Sequence, residues 1–189
     1  MNAFHLHLLR HGAPETPGLL LGRTDAAPDR DGIAACVAQL DGLPFDRLIT
    51  SDLRRAADAA DSIGAVSGVV PVRDPRWREL DFGAWDGLAP ADIDAARLSA
   101  FWNDPDANAP PDGERWSALV MRVRAAIAGL PAEDTLVVTH GGAMRAALAV
   151  LFGFDRRQLW AFHFSYAAFL SLRIWPGEPR SAEIIGLWP

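Results

Sequence analysis

The sequence contains few of the features that mark secreted, membrane-spanning or nucleic-acid-binding proteins. One cysteine in 189 residues, Cys36, excludes an intramolecular disulfide and suits a reducing cytosol. Its 18 basic side chains are outnumbered by 24 acidic ones, and the net charge of −6 argues against a surface for polyanions. Apolar runs such as residues 146–154 are too short to span a bilayer, and no secretory signal is recognisable. We therefore expect a cytoplasmic protein that binds neither membranes nor nucleic acids.

The chain also lacks internal repeats and low-complexity tails, and its length fits a single domain over residues 1–189. Segments with strand-type and helix-type spacing of apolar residues alternate along it, which predicts a three-layer α/β/α sandwich with a mostly parallel central sheet. Strands are predicted at residues 4–9, 45–50, 69–72, 135–139, 167–175 and 181–187. Helices are predicted at residues 29–40, 53–63, 116–130 and 141–151, the second of them capped by Ser51 or Asp52.

Reactive side chains follow three of the predicted strands. Arg10 and His11 come directly after the first strand, Arg55 follows the second, and His140 follows the strand at residues 135–139. In parallel sheets, ligands bind beyond the carboxyl ends of the strands. We therefore expect two imidazoles and two guanidinium groups to meet at one rim of the sheet.

Three closely spaced histidines, His5, His7 and His11, raise the question of a metal site, because imidazole is a common zinc ligand. His5 and His7 share one face of a strand that should be buried, whereas His11 lies beyond its end. The carboxylates that would complete a hydrolytic metal site are not clustered nearby. We interpret His5 and His7 as packed, hydrogen-bonded strand residues and expect neither a metal nor a cofactor.

Glycines beside the reactive residues favour an anion instead. Gly12 would let the backbone approach a ligand closely. Gly141 and Gly142 open a helix, where free N–H groups and the helix dipole attract a phosphate. Arg10 and Arg55 can each bind phosphate oxygens through two parallel hydrogen bonds. The pattern predicts a phosphate-binding pocket formed by these arginines, Gly12 and Gly141.

A phosphate held in such a pocket is open to attack by an uncharged imidazole nitrogen, which gives a phosphohistidine. Fixed positive groups around the transferred phosphoryl group then supply most of the acceleration. The departing alkoxide needs a proton, and a nearby carboxylic acid can give it. Glu79, in the segment WRELDFGAWDG at residues 77–87, is the first candidate for this acid, and Asp81 is the second.

Four blocks of sequence, in this order, resemble the histidine phosphatase superfamily, the phosphoglycerate mutase-like group. They are LLRHG at residues 8–12, TSDLRRAADAA at 50–60, RELDFGAWDG at 78–87 and VVTHGGAMR at 137–145. Each block alone matches many proteins by chance, whereas four in the right order are specific. The resemblance covers most of the chain and implies a metal-independent phosphomonoesterase that works through a phosphohistidine.

The resemblance also implies a role for each site residue. His11 would be the phosphorylated residue, Arg10 would bind the phosphoryl group, and Arg55 and His140 would complete the pocket. Glu79 would be the proton donor.

Three positions depart from the family pattern without removing any of these groups. Asp52 stands where the second block usually has proline, Ala59 stands where it has threonine, and Ala35 replaces a glutamine often found in the first helix.

The substrate is less constrained than the chemistry. The segments GRTD at residues 22–25, ELDFGAWDG at 79–87 and PPDGE at 110–114 resemble the α-ribazole phosphatase branch of cobalamin synthesis. In that branch Arg23 would face the substrate. Trp85, Trp102 and Trp116 are candidates for the wall of the substrate pocket, but we favour core packing for each of them.

Three other functions stay open. A phosphoglycerate mutase would need a lid that excludes water, and the family mutases carry longer insertions and a C-terminal tail, so the short chain favours water as the acceptor. A broad-specificity phosphatase of the same fold and a catalytically inactive binding module are the others; the module would have lost a site residue, and here all are present. The expected partner is a small phosphate ester, and a homodimer is left open.

Overall fold

A computed structural model describes residues 2–189, and its six strands form one sheet in the order β3-β2-β4-β1-β5-β6. The strands are β1 (Phe4–Arg10), β2 (Arg47–Thr50), β3 (Pro71–Arg73), β4 (Thr135–Thr139), β5 (Phe169–Trp175) and β6 (Ser181–Trp188). The α-helices are α1 (Arg30–Ala38), α2 (Arg54–Ser67), α3 (Ala95–Asn103), α4 (Trp116–Ala128), α5 (Gly141–Phe152) and α6 (Arg156–Trp160).

The sheet is mostly parallel because helices connect its first four strands. β4 pairs in parallel with β1 and β2, β2 pairs in parallel with β3, and the hairpin of β5 and β6 adds two antiparallel pairings beside β1. The predicted α/β fold is confirmed. Since β2, β4 and β1 are neighbours, the residues that follow them lie at one rim.

Helices cover both faces of the sheet. Leu136 and Val138 of β4 pack in one apolar cluster with residues of α1 and α2, whereas Val137 packs in a second cluster with residues of α4 and α5. All five residues of β4 are buried, which explains its continuous apolar sequence, because a strand covered on both faces has no solvent side to keep polar. Burial of each of these aliphatic side chains stabilises the fold by about 1.5–3 kcal/mol.

The start of α2 differs from the predicted cap. Neither Ser51 nor Asp52 caps this helix; Leu53 occupies the N-cap position without a side-chain hydrogen bond. The Asp52 carboxylate instead forms a bidentate ion pair with the Arg78 guanidinium, and such charge-assisted pairs are stronger than a neutral capping bond. The N–H of Arg54, in the first turn, donates to Asp25 at 2.7 Å. The cap therefore comes from a segment that is distant in sequence.

The helix α3 has no counterpart among the sequence predictions. It begins after Asp94, whose side chain accepts a hydrogen bond from the N–H of Arg97 at 2.9 Å and so caps the helix. This aspartate was a readable signal, since aspartate is among the favoured N-cap residues. The short helix α6 was missed as well.

The two histidines on β1 are packed and hydrogen-bonded, as predicted. The ring of His7 shares a hydrogen bond of 2.8 Å with the Ser171 hydroxyl, and the ring of His5 lies 3.2 Å from the Asp134 carboxylate. Burial lowers the pKa of His7 to about 4. Among residues 2–189, no group of three or more His, Cys, Asp or Glu side chains is arranged to hold a metal ion.

None of the helices within residues 2–189 has both the length and the apolar character that a bilayer crossing requires.

Candidate active site

The carboxyl ends of β1 and β4 place the two predicted histidines side by side. The strands pair with Arg10 opposite Thr139, and the N–H of His11 donates to the carbonyl oxygen of Thr139 at 2.9 Å. The imidazole rings of His11 and His140 meet edge-on, with their centroids 5.0 Å apart. The register of two neighbouring parallel strands is therefore what brings these rings together, and their predicted meeting is confirmed.

The ring of His11 is held in one tautomer. Its Nδ1 lies 2.7 Å from the carbonyl oxygen of Gly12, and a carbonyl only accepts hydrogen bonds, so Nδ1 carries the proton. Burial, followed by the positive charges of Arg55 and Arg10, lowers the pKa of His11 well below its usual value. The imidazole is consequently neutral, and its Nε2 keeps a free lone pair.

His140 is fully buried, and neither of its ring nitrogens has a hydrogen-bond partner among residues 2–189. Burial is again the main cause that lowers its pKa, with Arg55 and His11 adding to it. A buried polar atom without a partner costs about 1–3 kcal/mol. The site therefore holds hydrogen-bonding capacity that the protein itself leaves unused.

Arg55 lies in the first turn of α2 and is completely buried. Its terminal nitrogens donate to the carbonyl oxygens of Thr24, Leu21 and Gly22 at 2.7, 2.7 and 2.9 Å. Carbonyl groups orient a guanidinium without cancelling its charge, and the Nε of Arg55 has no partner within residues 2–189. Arg55 thus keeps a buried positive charge near His11, although it lines neither of the two pockets described below.

Arg10 is held by a different part of the chain, near residues 164–166. Its Nη1 donates to the carbonyl oxygen of Phe164 at 2.6 Å, and its guanidinium lies 4.2 Å from the centroid of the Tyr166 ring. Its Nε is buried and, among residues 2–189, without a partner. The Tyr166 ring also lies 5.7 Å from the ring of His11. Tyr166 was missed by the sequence reasoning, because no motif carries it.

Glu79 presents its carboxyl group to the start of α5. One oxygen accepts from the N–H of Gly142 at 3.0 Å, and the other accepts from the N–H of Leu80 at 2.8 Å. A Cβ atom on residue 142 would lie 2.0 Å from a Glu79 oxygen, so only glycine leaves room for this carboxyl group. The predicted free N–H of Gly142 is therefore wrong, since the protein's own carboxylate occupies it.

The two other glycines near the site differ in what surrounds them. A Cβ atom on Gly12 would lie 2.0 Å from the carbonyl oxygen of Gly32 in α1. Gly12 thus permits the close contact of two backbone segments, and its predicted role in phosphate binding stays a prediction. Gly141 lies beside the guanidinium groups of Arg10 and Arg145, at 3.7 and 3.3 Å from its Cβ position.

Two pockets open beside the histidines. The smaller, of about 130 Å³, is lined by His11, Tyr166 and residues 19–21; the larger, of about 410 Å³, lies toward α3 and α6. Arg10, Glu79 and Phe82 line both. Aromatic rings form much of the larger pocket, and they belong to Phe82, Phe101, Trp102, Trp116, Trp160 and Phe164.

Several predicted substrate contacts lie elsewhere. Trp85 is buried edge-on against Phe101, with ring centroids 5.7 Å apart, and lines neither pocket. Arg23 also lines neither, and its Nε donates to Asp81 at 3.1 Å. Because this contact engages Asp81, Glu79 is the carboxyl group that faces the pockets.

A family profile described as the histidine phosphatase superfamily (branch 1) matches residues 6–185. The chain belongs to this superfamily. It is 33% identical over 172 residues to a glucosyl-3-phosphoglycerate phosphatase of Mycobacterium tuberculosis, which covers 80% of this chain and 76% of that one. It is 30% identical over 169 residues to an adenosylcobalamin/alpha-ribazole phosphatase of Escherichia coli, at 83% of each chain.

Solved structures agree with this assignment. The native structure of the mycobacterial glucosyl-3-phosphoglycerate phosphatase superposes with a TM-score of 0.86 at 29% identity and covers 97% of this chain and 98% of that one. The protein is thus a phosphatase, and the resemblance read from its four motif blocks is confirmed.

Proposed function

We propose that this histidine phosphatase hydrolyses a phosphomonoester through a covalent phosphohistidine on His11. The observation that carries the proposal is the geometry around His11, whose Nδ1 is bound to the carbonyl oxygen of Gly12. The Nε atoms of Arg10 and Arg55 are both buried and, among residues 2–189, have no hydrogen-bond partner. Nε2 attacks phosphorus in line, the bond to the ester oxygen breaks, and Glu79 gives its proton to that oxygen. Arg10, Arg55 and a ring N–H of His140 stabilise the charge that spreads over the equatorial oxygens.

The second step returns the enzyme to its starting state. Water attacks phosphorus, Glu79 takes one proton from it, and the bond between phosphorus and Nε2 of His11 breaks. Inorganic phosphate leaves, and the imidazole regains its lone pair. The same carboxyl group therefore acts first as acid and then as base.

We expect full activity in EDTA, because guanidinium groups and an imidazole N–H donor stabilise the negative charge that a metal stabilises in other phosphatases. The measurement is kcat/KM on p-nitrophenyl phosphate before and after dialysis against EDTA, with magnesium and zinc added back. Loss of activity on dialysis, with recovery on addition of either metal, would contradict metal independence.

We propose α-ribazole 5'-phosphate as the substrate. The aromatic wall of the larger pocket supports it, because a flat benzimidazole base can stack on tryptophan. Glucosyl-3-phosphoglycerate is the second candidate. Arg145, which lines the same pocket next to Arg10, favours it because a guanidinium binds the carboxylate of such an ester.

Ribose 5-phosphate tests the first candidate, since it lacks only the base. We expect kcat/KM for α-ribazole 5'-phosphate to exceed that for ribose 5-phosphate by roughly tenfold or more, the usual worth of one stacked base. Trp102→Ala or Trp160→Ala should remove this advantage and leave ribose 5-phosphate unaffected. Equal values for the two esters would exclude the aromatic wall as the base-binding surface. A preference for glucosyl-3-phosphoglycerate that Arg145→Met abolishes would establish the second candidate.

We further propose that the enzyme acts in the cytoplasm on a small molecule. Its single cysteine supports a reducing compartment. Cys36 is buried, and burial raises the pKa of its thiol to about 12. This thiol is unreactive and packs as a small apolar side chain.

A further inference from the structure

Arg122, in α4, directs its guanidinium group at the segment that carries Glu79. Nε and Nη2 donate to the two carboxylate oxygens of Glu114, both at 2.8 Å. Nη1 donates to the carbonyl oxygens of Arg76 and Arg78 at 2.8 and 2.6 Å, and Nη2 also donates to that of Glu79 at 2.7 Å. All five N–H bonds of this guanidinium therefore have acceptors.

The remaining carbonyl of the same segment is held from the sheet. The carbonyl oxygen of Trp77 accepts from the Thr139 hydroxyl at 2.7 Å. Thr139 is the last residue of β4, and His140 follows it. Each carbonyl from residue 76 to residue 79 is thus fixed by either Arg122 or β4. Glu114 adds a contact beyond the segment, since it accepts from the N–H of Asp81 at 3.3 Å.

Residues 78–82 belong to no helix or strand, so no regular hydrogen-bond ladder fixes them. A segment of this kind keeps one conformation only where other groups bind its backbone. The Arg122 and Glu114 side chains are 17% and 13% exposed, so water competes little for their hydrogen bonds.

We propose that Arg122 and Glu114 are positioning residues that hold the Glu79 carboxyl group at the leaving oxygen. This inference rests on the proposed function, in which Glu79 is the proton donor. Proton transfer needs the donor within about 2.6–3.2 Å of the oxygen, and a displacement of about 1 Å can cost a hundredfold in rate. The bonds of Glu79 to Gly142 and Leu80 orient its carboxyl group, whereas Arg122 fixes the backbone from which that group extends.

The contacts that hold the other site residues do not involve this pair. His11 is held by Thr139 and Gly12, and Arg55 by carbonyl groups of residues 21–24. Loss of the Arg122–Glu114 pair should therefore impair proton donation and spare the phosphoryl pocket. Esters with poor leaving groups depend on proton donation, and p-nitrophenyl phosphate does not.

The test is the dependence of log kcat/KM on leaving-group pKa over a series of aryl and alkyl phosphates. Lysine has three donors on one nitrogen, so it cannot bind the Glu114 carboxylate and the backbone carbonyl groups at the same time as the planar guanidinium of Arg122 does. We expect Arg122→Lys and Glu114→Gln to lower kcat/KM for ethyl phosphate by roughly ten- to a hundredfold, to leave p-nitrophenyl phosphate near the wild-type value, and to steepen the dependence. Arg124→Lys is the matched control, because Arg124 is exposed on the same helix.

A double variant separates positioning from general stability. If Arg122 acts through Glu79, then Arg122→Lys combined with Glu79→Gln should be no slower on ethyl phosphate than Glu79→Gln alone, because coupled residues are not additive. Additive losses, equal losses on all esters, or no loss in either single variant would overturn the inference. Should Arg122→Lys fail to fold, the Glu114→Gln series and its double variant with Glu79→Gln decide the matter.

Failure of the inference is distinguishable from failure of the proposed function. An unchanged leaving-group dependence in Glu79→Gln itself would remove Glu79 as the acid, and with it the role of the pair. A steeper dependence in Glu79→Gln, together with wild-type behaviour of Arg122→Lys and Glu114→Gln, would overturn only the positioning role.

Discussion

His11→Ala is expected to lower kcat on p-nitrophenyl phosphate by at least about a thousandfold, which corresponds to roughly 4 kcal/mol of barrier. The variant keeps both arginines and can still bind the ester, but no other neutral imidazole takes its place. The other imidazole of the site, that of His140, is fully buried and lines neither pocket; the centroid of its ring lies 5.0 Å from that of His11. The loss should therefore appear in kcat far more than in KM.

The same variant tests the covalent intermediate directly. Wild-type enzyme mixed with a ³²P-labelled substrate and quenched with alkali should retain label, and mild acid should release it, because a phosphorus–nitrogen bond is stable to base and labile to acid. His11→Ala should retain none. His5→Gln, on the strand that precedes His11 but outside both pockets, is the control and should label like wild type. Near-normal turnover by His11→Ala, or label that survives acid, would refute His11 as the nucleophile.

Glu79→Gln should lower kcat/KM for alkyl phosphates by about 10²- to 10⁴-fold, the usual contribution of a general acid. The value for p-nitrophenyl phosphate should fall much less, because p-nitrophenolate leaves without a proton. The ratio kcat/KM is the appropriate measure, since it reports only the steps up to cleavage of the ester bond and excludes hydrolysis of the phosphohistidine.

The second carboxylate of the segment provides the control for this prediction. Asp81 is bound to Arg23 and lines neither pocket, so Asp81→Asn should keep the wild-type leaving-group dependence. Equal losses on alkyl and p-nitrophenyl phosphates in Glu79→Gln would argue against Glu79 as the acid. A selective loss in Asp81→Asn would transfer the role to that residue.

Local sequence was a good guide to the sheet and to the rim that bears the site. The apolar run of β4 required cover on both faces, and the residues just after β1 and β4 had to lie at one rim of a parallel sheet. The structure adds that β1 and β4 are neighbours. His11 and His140 consequently meet where the pattern placed them. Capping was less predictable, because Asp52 had a choice between the helix N-terminus and a guanidinium. Asp52 pairs with Arg78, and this pair could not be predicted from local sequence because the two residues are far apart in the chain.

The contacts of glycines and tryptophans were also not predictable from local sequence. The sequence does not show that the backbone of α1 packs against Gly12, or that the Glu79 carboxyl group packs against Gly142. Of the candidate wall residues, Trp85 lies in the core, whereas Trp160, which no motif indicates, lines the larger pocket. A glycine indicates only that a close contact occurs, and a tryptophan only that a large aromatic ring is packed. Which group makes the contact depends on how the helices pack.

The sequence by itself determined the fold class, which strands are followed by reactive side chains, and the identity of the groups that gather at their ends. These follow from periodicity and from the geometry of parallel strands, which act over a few residues. Only the tertiary structure decided which side chains face the pockets and which groups hold Glu79 in place. Such choices depend on contacts between elements far apart in the chain, as between α4 and residues 76–79, and no local spacing encodes them.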